Sequence, residues 1–94
     1  MEVIYTLEYM DKALEDIRFF KEMGDPSIKT KINNLLDELE QHPYTGTGRP
    51  EKLRSNLTGY MSRRINREHR LLYRVDEDNS IVTIVSFRGH YERM

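Results

Sequence analysis

The chain of 94 residues contains no cysteine and no tryptophan, and only three prolines and five glycines. Without cysteine, neither a disulfide framework nor a thiolate metal site can form, and an oxidising compartment is not implied. No apolar run approaches the roughly 18 residues that span a bilayer. The opening MEVIYTLEYM carries an early acid and no basic leader region, so a cytoplasmic protein with no membrane partner is expected. Repeats, low-complexity tracts and linkers are also missing. At this length the expectation is one domain over residues 1–94.

A surplus of charge is missing too, since the formal net charge is only -1. The distribution is far from even. Residues 1–48 carry five basic and ten acidic groups, residues 49–74 eight and two, and residues 75–94 two and four. The acidic first half argues against a general nucleic-acid coat. The central block of Arg49, Lys52, Arg54, Arg63, Arg64, Arg67, Arg70 and Arg74 argues for one localised polyanion surface.

The periodicity predicts an α+β fold. Val3, Ile4 and Tyr5 form a short β-prone run, and Thr6 can cap a helix marked by Leu7, Met10, Leu14, Ile17, Phe20 and Met23. Gly24 suits the left-handed position that ends it. Asp25 and Pro26 restart a helix, with Ile28, Ile32, Leu35, Leu36 and Leu39 on one face, and His42 and Pro43 stop it. Beyond the loop from Tyr44 to Pro50, alternation predicts strands over 60–66, 70–75 and 80–87. An antiparallel sheet with a helical hairpin on one face leaves the other face open to a ligand. With a two-residue loop, Arg70 falls opposite Ile65; with three, it falls opposite Asn66 and shares a face with Arg64. The sequence does not choose.

The arginines of the basic block can grip phosphates bidentately, or can simply charge a sheet edge against aggregation. Glu51 is one of only two acids in the block and starts a strand. A carboxylate among guanidinium groups stays ionised at neutral pH and can accept a proton, although it can equally serve as a counter-ion. Glu68 reads as a solvated ion-pair partner, His42 as part of the helix stop, and His69, which begins a strand next to Arg70, as a residue that orients Arg70 or contacts RNA, the structural role being the expectation. His90, beside Tyr91, is a residue type that donates or accepts protons near neutral pH. An acid, an arginine and a histidine on one surface would meet the needs of RNA cleavage without a metal. The 2'-hydroxyl loses a proton, the 5'-oxygen gains one, and the phosphoryl charge is stabilised. Asp76, Glu77 and Asp78 cluster in a turn without a matching ligand set, so neither a metal nor a cofactor is expected.

The run GRPEKLRSNLTGYMSRRINREHRLLYRV over residues 48–75, followed by a terminal His90-Tyr91 pair, resembles the YoeB (Txe) branch of the RelE superfamily of bacterial toxin-antitoxin endoribonucleases. The resemblance covers nearly the entire chain. It implies two helices against a twisted, mainly antiparallel sheet. It also implies a metal-independent endoribonuclease that cuts mRNA in the ribosomal A site and is neutralised by a cognate antitoxin. By resemblance, Glu51 takes the general-base position, Arg70 the transition-state arginine and His90 the general acid. Tyr91 would position the phosphate or stack on a base, and Arg54, Arg63 and Arg64 would hold RNA. An acidic antitoxin segment could compete for the same surface by folding on it. Self-association, known for some family members, is left open. Two features depart from the family pattern: Met61 stands where a tryptophan is usual, and Glu92, Arg93 and Met94 extend past the tyrosine. Two rival readings are a non-cleaving, ParE-like inhibitor of DNA gyrase and a partner-binding domain without catalysis.

Overall fold

The computed structural model describes residues 3–89. In chain order they form β1 (Thr6–Tyr9), α1 (Asp11–Met23), α2 (Pro26–Leu39), β2 (Glu51–Lys52), a turn of 3-10 helix at Ser55–Leu57, β3 (Met61–Arg64), β4 (Arg70–Asp76) and β5 (Ile81–Ser86). The strands make one sheet of order β1-β5-β4-β3-β2, in which β1 runs parallel to β5 and every other pair is antiparallel. The expected α+β class is thus observed, as two helices on a five-stranded mixed sheet. No helix among the described residues is long and apolar enough to cross a membrane.

The second helix starts as its sequence dictates. Gly24 ends α1 in the left-handed conformation at φ 71°, and the Asp25 carboxylate accepts the Ser27 and Ile28 N–H groups at 2.9 and 3.5 Å ahead of Pro26. Ile28, Ile32, Leu35 and Leu39 then point into the core, where each contributes roughly 1.5–3 kcal/mol. On the sheet they meet Met61, Leu71, Tyr73, Val82, Ile84 and Phe87.

The N-terminal third departs from expectation. The first strand is not Val3–Tyr5 but Thr6–Tyr9, because Tyr5 is drawn to the end of α2, its N–H donating to the Glu40 carbonyl at 2.7 Å. Its hydroxyl reaches Glu77 Oε1 at 2.8 Å, an oxygen that Tyr44 also meets at 2.6 Å. Thr6 therefore caps nothing. The helix begins at Asp11, and Leu7 is a strand residue paired with Val82. The inward stripe of α1 is Ala13, Asp16 and Phe20, flanked by half-buried Ile17, while Met10, Leu14 and Met23 are exposed. A small residue at Ala13 lets the helix lie close on β5, and a carboxylate at Asp16 finds a backbone donor there, so the buried stripe does not follow hydrophobicity.

The connection between β3 and β4 is longer than either expected loop. Arg70 lies directly opposite Arg64, and Asn66 organises the turn by accepting the Glu68 and His69 N–H groups at 2.9 and 2.8 Å. Arg64 and Arg70 consequently share a face, and Ile65 turns into the core. Between β4 and β5, Leu72 faces Ser86 while Tyr73 faces Ile84, so Val85 is an extra residue and Phe87 swings into the core.

Arg63 was expected among the residues that hold RNA; the structure corrects this. It alternates onto the helix side with Met61 and is fully buried. Its Nη1 donates to Glu38 Oε1 at 3.1 Å and to the Thr47 carbonyl at 3.3 Å. Its Nη2 donates to the carbonyls of His42 and Thr45, the latter at 2.8 Å, and Nε reaches the Tyr73 hydroxyl at 3.2 Å. Tyr73 in turn donates to the Pro43 carbonyl at 2.6 Å, burial holding its hydroxyl above the ordinary range and so protonated. The guanidinium thus ties down the whole loop from Pro43 to Thr47. That loop must run very close to it: a Cβ on Gly46 (φ 122°) would meet Glu38 Oε1 at 2.2 Å, and one on Gly48 (φ 86°) the Arg64 carbonyl at 2.9 Å.

Replacing Arg63 by Lys removes the forked donors and leaves buried carbonyls unpaired. A loss of about 3 kcal/mol is expected by urea denaturation, against less than about 0.5 kcal/mol for Arg64→Lys on the exposed side. Glu38 supplies a pH dependence. Desolvation raises its pKa, but hydrogen bonds from Thr47 and the Arg63 charge prevail and hold it below the ordinary 4.5. A depressed pKa gives stability that is present above the unfolded-state value and is lost as pH falls through the folded-state value. The stability gap between the parent and Glu38→Gln should therefore be largest at neutral pH and close as pH falls through the depressed folded-state value, below the ordinary 4.5.

Candidate active site on the open face

The face opposite the helices carries the outward residues of β2, β3 and β4. Glu51 pairs with Ser62, Ser62 with Leu72, and Arg64 with Arg70, so alternation points this set to one side. Arg74, further along β4, projects there too, its guanidinium 6.0 Å from the centre of the Tyr60 ring. The floor is closed, with Ser62, Arg70 and Leu72 all buried. A cationic side chain held in a closed floor retains a defined direction, unlike one on a solvated edge.

Arg70 is the centre of this surface. Its Nη1 lies 4.0 Å from Glu51 Oε2 and 3.4 Å from Ser62 Oγ. The Arg70 side chain is only 4% exposed whereas that of Glu51 is 43% exposed. The acid thus stands at the rim and the cation lies beneath it. Four ångströms is too long for a direct hydrogen bond, so the two form a loose ion pair across the face.

The backbone leading into Glu51 is constrained. Arg49 has φ 52° immediately before Pro50, and the Gly48 carbonyl accepts the Arg64 N–H at 2.6 Å. The loop fixed by Arg63 therefore ends on β3 itself, and β2 begins in register. On the other side, Gly89 is joined to the start of β4: its carbonyl accepts the Arg70 N–H at 3.0 Å and its N–H approaches His69 Nδ1 at 3.4 Å. The other nitrogen of His69 lies 3.0 Å from Glu68 Oε2, and its ring meets Phe20 edge-on at 5.2 Å. His69 is accordingly a bridge between the turn, helix α1 and the segment after β5.

Of the residues named from the sequence, Glu51, Arg64 and Arg70 come together on the open face. Arg54 is exposed on the loop after β2, and Arg63 lies on the far side of the sheet. His90 and Tyr91 lie outside the described residues, as does the extension from Glu92 to Met94. Met61, in the place of a usual tryptophan, is a buried core residue opposite Tyr73. Sequence reasoning passed over Ser62, Asp16 and the full role of His69. Ser62 had a signal, since its parity along β3 sets it opposite to Arg63. The acids of the β4–β5 turn serve locally: Asp76 accepts from the Asn79 backbone at 3.1 Å and side chain at 2.9 Å, and Glu77 accepts from the two tyrosines.

Comparison with known proteins bears on this geometry. Residues 9–91 match the family model described as the YoeB-like toxin of bacterial type II toxin-antitoxin systems. The Toxin YoeB of Synechocystis is 37% identical over 87 residues, which span 93% of this chain and 98% of that protein. The structure of the YoeB/ParE toxin from Agrobacterium tumefaciens superposes with a TM-score of 0.84 at 34% identity, over 92% of this chain and 99% of that one. YoeB from Staphylococcus aureus, solved as a dimer and in a heterotetrameric complex with YefM antitoxin, is 43% identical in both. The match covers 93% of this chain and 98% of those, with TM-scores of 0.80 and 0.78.

The cationic open face yields a binding prediction. Fluorescence anisotropy with a short single-stranded RNA should show affinity falling with salt. Arg54→Ala, Arg64→Ala and Arg74→Ala should each reduce the slope of log affinity on log salt by about 0.7. Arg18→Ala, on the outer side of α1, should leave the slope unchanged.

Proposed function

The chain belongs to the YoeB toxin family of bacterial type II toxin-antitoxin systems, and from that premise we propose that it is an endoribonuclease that cleaves mRNA in the ribosomal A site by acid-base chemistry without a metal. The observation that carries this reading is the opposition of Glu51 and Arg70 at 4.0 Å on the open face.

In the proposed mechanism Glu51 takes the proton from a ribose 2'-hydroxyl as that oxygen attacks the adjacent phosphorus. The exposed position of Glu51 suits access to a flexible single strand. Arg70 stabilises the charge that builds on the non-bridging oxygens, and its burial under the rim favours this role because a shielded cation acts more strongly than a solvated one. His90 delivers a proton to the departing 5'-oxygen. It follows Gly89 in the sequence, and Gly89 is bonded to the Arg70 N–H. Arg54 and Arg64 hold flanking phosphates, and Tyr91 orients the scissile one. The products are a 2',3'-cyclic phosphate and a free 5'-hydroxyl, with one proton taken and one returned.

The ribosome has a physical part in this scheme. The surface described is open and holds its acid and its arginine apart, so the message has to be presented in a bent, in-line geometry from outside. Regulation follows from the same surface: an antitoxin comparable to the YefM of the S. aureus complex covers it and neutralises its charge. Self-association of the kind seen in the S. aureus dimer is part of the proposal for this chain as well.

The test is primer-extension mapping on a translated message with purified ribosomes. Glu51→Gln, Arg70→Lys and His90→Gln should each slow cleavage by about 10²- to 10⁴-fold while keeping the parent's circular dichroism spectrum. Parent-like cleavage by Glu51→Gln and His90→Gln would remove the mechanism. DNA gyrase supercoiling, assayed in parallel, should be unaffected; inhibition there without RNA cleavage would establish the rival reading.

A further inference from the structure

We infer that Asp16 and His69 are positioning residues for the proton-donating arm of the site, acting through the segment Phe87–Gly89 rather than on the substrate. The inference rests on the proposed role of His90.

Asp16 is the anomaly from which this follows. It is a carboxylate on the inward stripe of α1, 1% exposed, between Ala13 and Phe20. A buried acid on a core-facing stripe is costly unless it is paired, and apolar packing of equal volume would generally serve stability as well or better. Its place in the fold explains what it does. The β4–β5 ladder ends at the pair Leu72 and Ser86, and the next backbone donor, Phe87 N–H, binds Asp16 Oδ2 at 2.9 Å. The other carboxylate oxygen meets Lys12 and lies 4.0 Å from Arg88 Nη1. The Arg88 guanidinium lies over the Phe19 ring at 3.7 Å.

Three consecutive residues are therefore held from two sides. Helix α1 takes Phe87 through Asp16 and Arg88 through Phe19. The start of β4 takes Gly89, through the Arg70 N–H and His69 Nδ1. His69 is itself seated on Phe20 of the same helix. Gly89 has φ 112°, a conformation open to glycine, so the chain turns sharply under this grip. The turn falls one residue before His90 in the sequence. Helix α1, on the other face of the sheet, thus helps to hold Phe87–Gly89 beside the start of β4. Neither residue needs to touch RNA for its loss to slow proton delivery.

The experiment is a double-mutant cycle on single-turnover cleavage of a ribosome-bound message. Asp16→Leu should lower the maximal rate by about 10- to 100-fold with no change in the ribosome concentration giving half-maximal rate. Asp16→Asn, which keeps an acceptor for Phe87 N–H, should stay within about threefold of the parent. In a His90→Gln background, Asp16→Leu should cost less than about twofold more, because the group it positions is already gone. An equal loss in both backgrounds, or parent-like rates for a folded Asp16→Leu, would overturn the inference. Should Asp16→Leu fail to fold, His69→Leu is carried through the same cycle, with the same loss in the parent and none in His90→Gln. Parent-like cleavage by His90→Gln would overturn the assigned acid, and this inference with it; a slow His90→Gln with an additive Asp16 effect would overturn the inference alone.

Discussion

The buried guanidinium of Arg63 is the interaction on which the remainder of the molecule depends. A cation without exposure to water is stable only where dipoles and counter-charge replace its hydration. Here the replacement is mostly backbone: carbonyls of His42, Thr45 and Thr47, with Glu38 and the Tyr73 hydroxyl completing the shell. The loop after α2 is therefore shaped by what Arg63 needs, and with Gly46 and Gly48 against it that shape has little freedom. The same strand residue that faces inward as Arg63 has neighbours, Ser62 and Arg64, that face outward. A single register thus settles both the anchoring of the loop and the placement of Glu51 across from Ser62. The core side of the sheet fixes the geometry of the open side.

The site is accordingly built between two anchored walls with a rigid centre. Arg70 stands on the second-last strand of the sheet's antiparallel run, buried at its base. The loop held by Arg63 delivers Glu51 from one side. The clamp on Phe87–Gly89, drawn from α1 and His69, secures the chain on the other. In the proposed mechanism, groups held by packed elements in this way would spend little binding energy on ordering, which leaves the substrate as the component still to be positioned. Glu51 and Arg70 face each other as an ion pair at 4.0 Å with no direct hydrogen bond between them.

Much of this was legible in the sequence, and the failures have physical causes. The Gly24 and Asp25-Pro26 punctuation, the apolar face of α2 and the alternation of β3 to β5 are local signals, and the structure reproduces each. So is the segregation of arginines from acids, which marked the open face. The first strand was misplaced because its partner is β5, far along the chain, and parallel pairing leaves no turn signature nearby. The inward face of α1 was misread because Asp16 is buried for a backbone donor while Leu14 and Met10 are exposed. Arg63 was misassigned because a run of two arginines does not reveal which of them faces the core; that required the register, and the register was hidden by a turn built on Asn66. Glu51 and Arg70 were nameable from the motif, but the 4.0 Å between them depends on the loop that Arg63 holds.

The central claim is that this loop brings Glu51 to the reacting ribose while Arg70 meets its phosphate. Its most direct test is a crystal structure of the protein on a ribosome programmed with a message carrying a 2'-deoxy nucleotide at the scissile position, which cannot be cleaved. The account predicts the Glu51 carboxylate within about 4 Å of the ribose C2' and the Arg70 guanidinium on the adjacent phosphate. A message lying against α1 and α2, or one whose scissile phosphate is beyond the reach of both side chains, would contradict it.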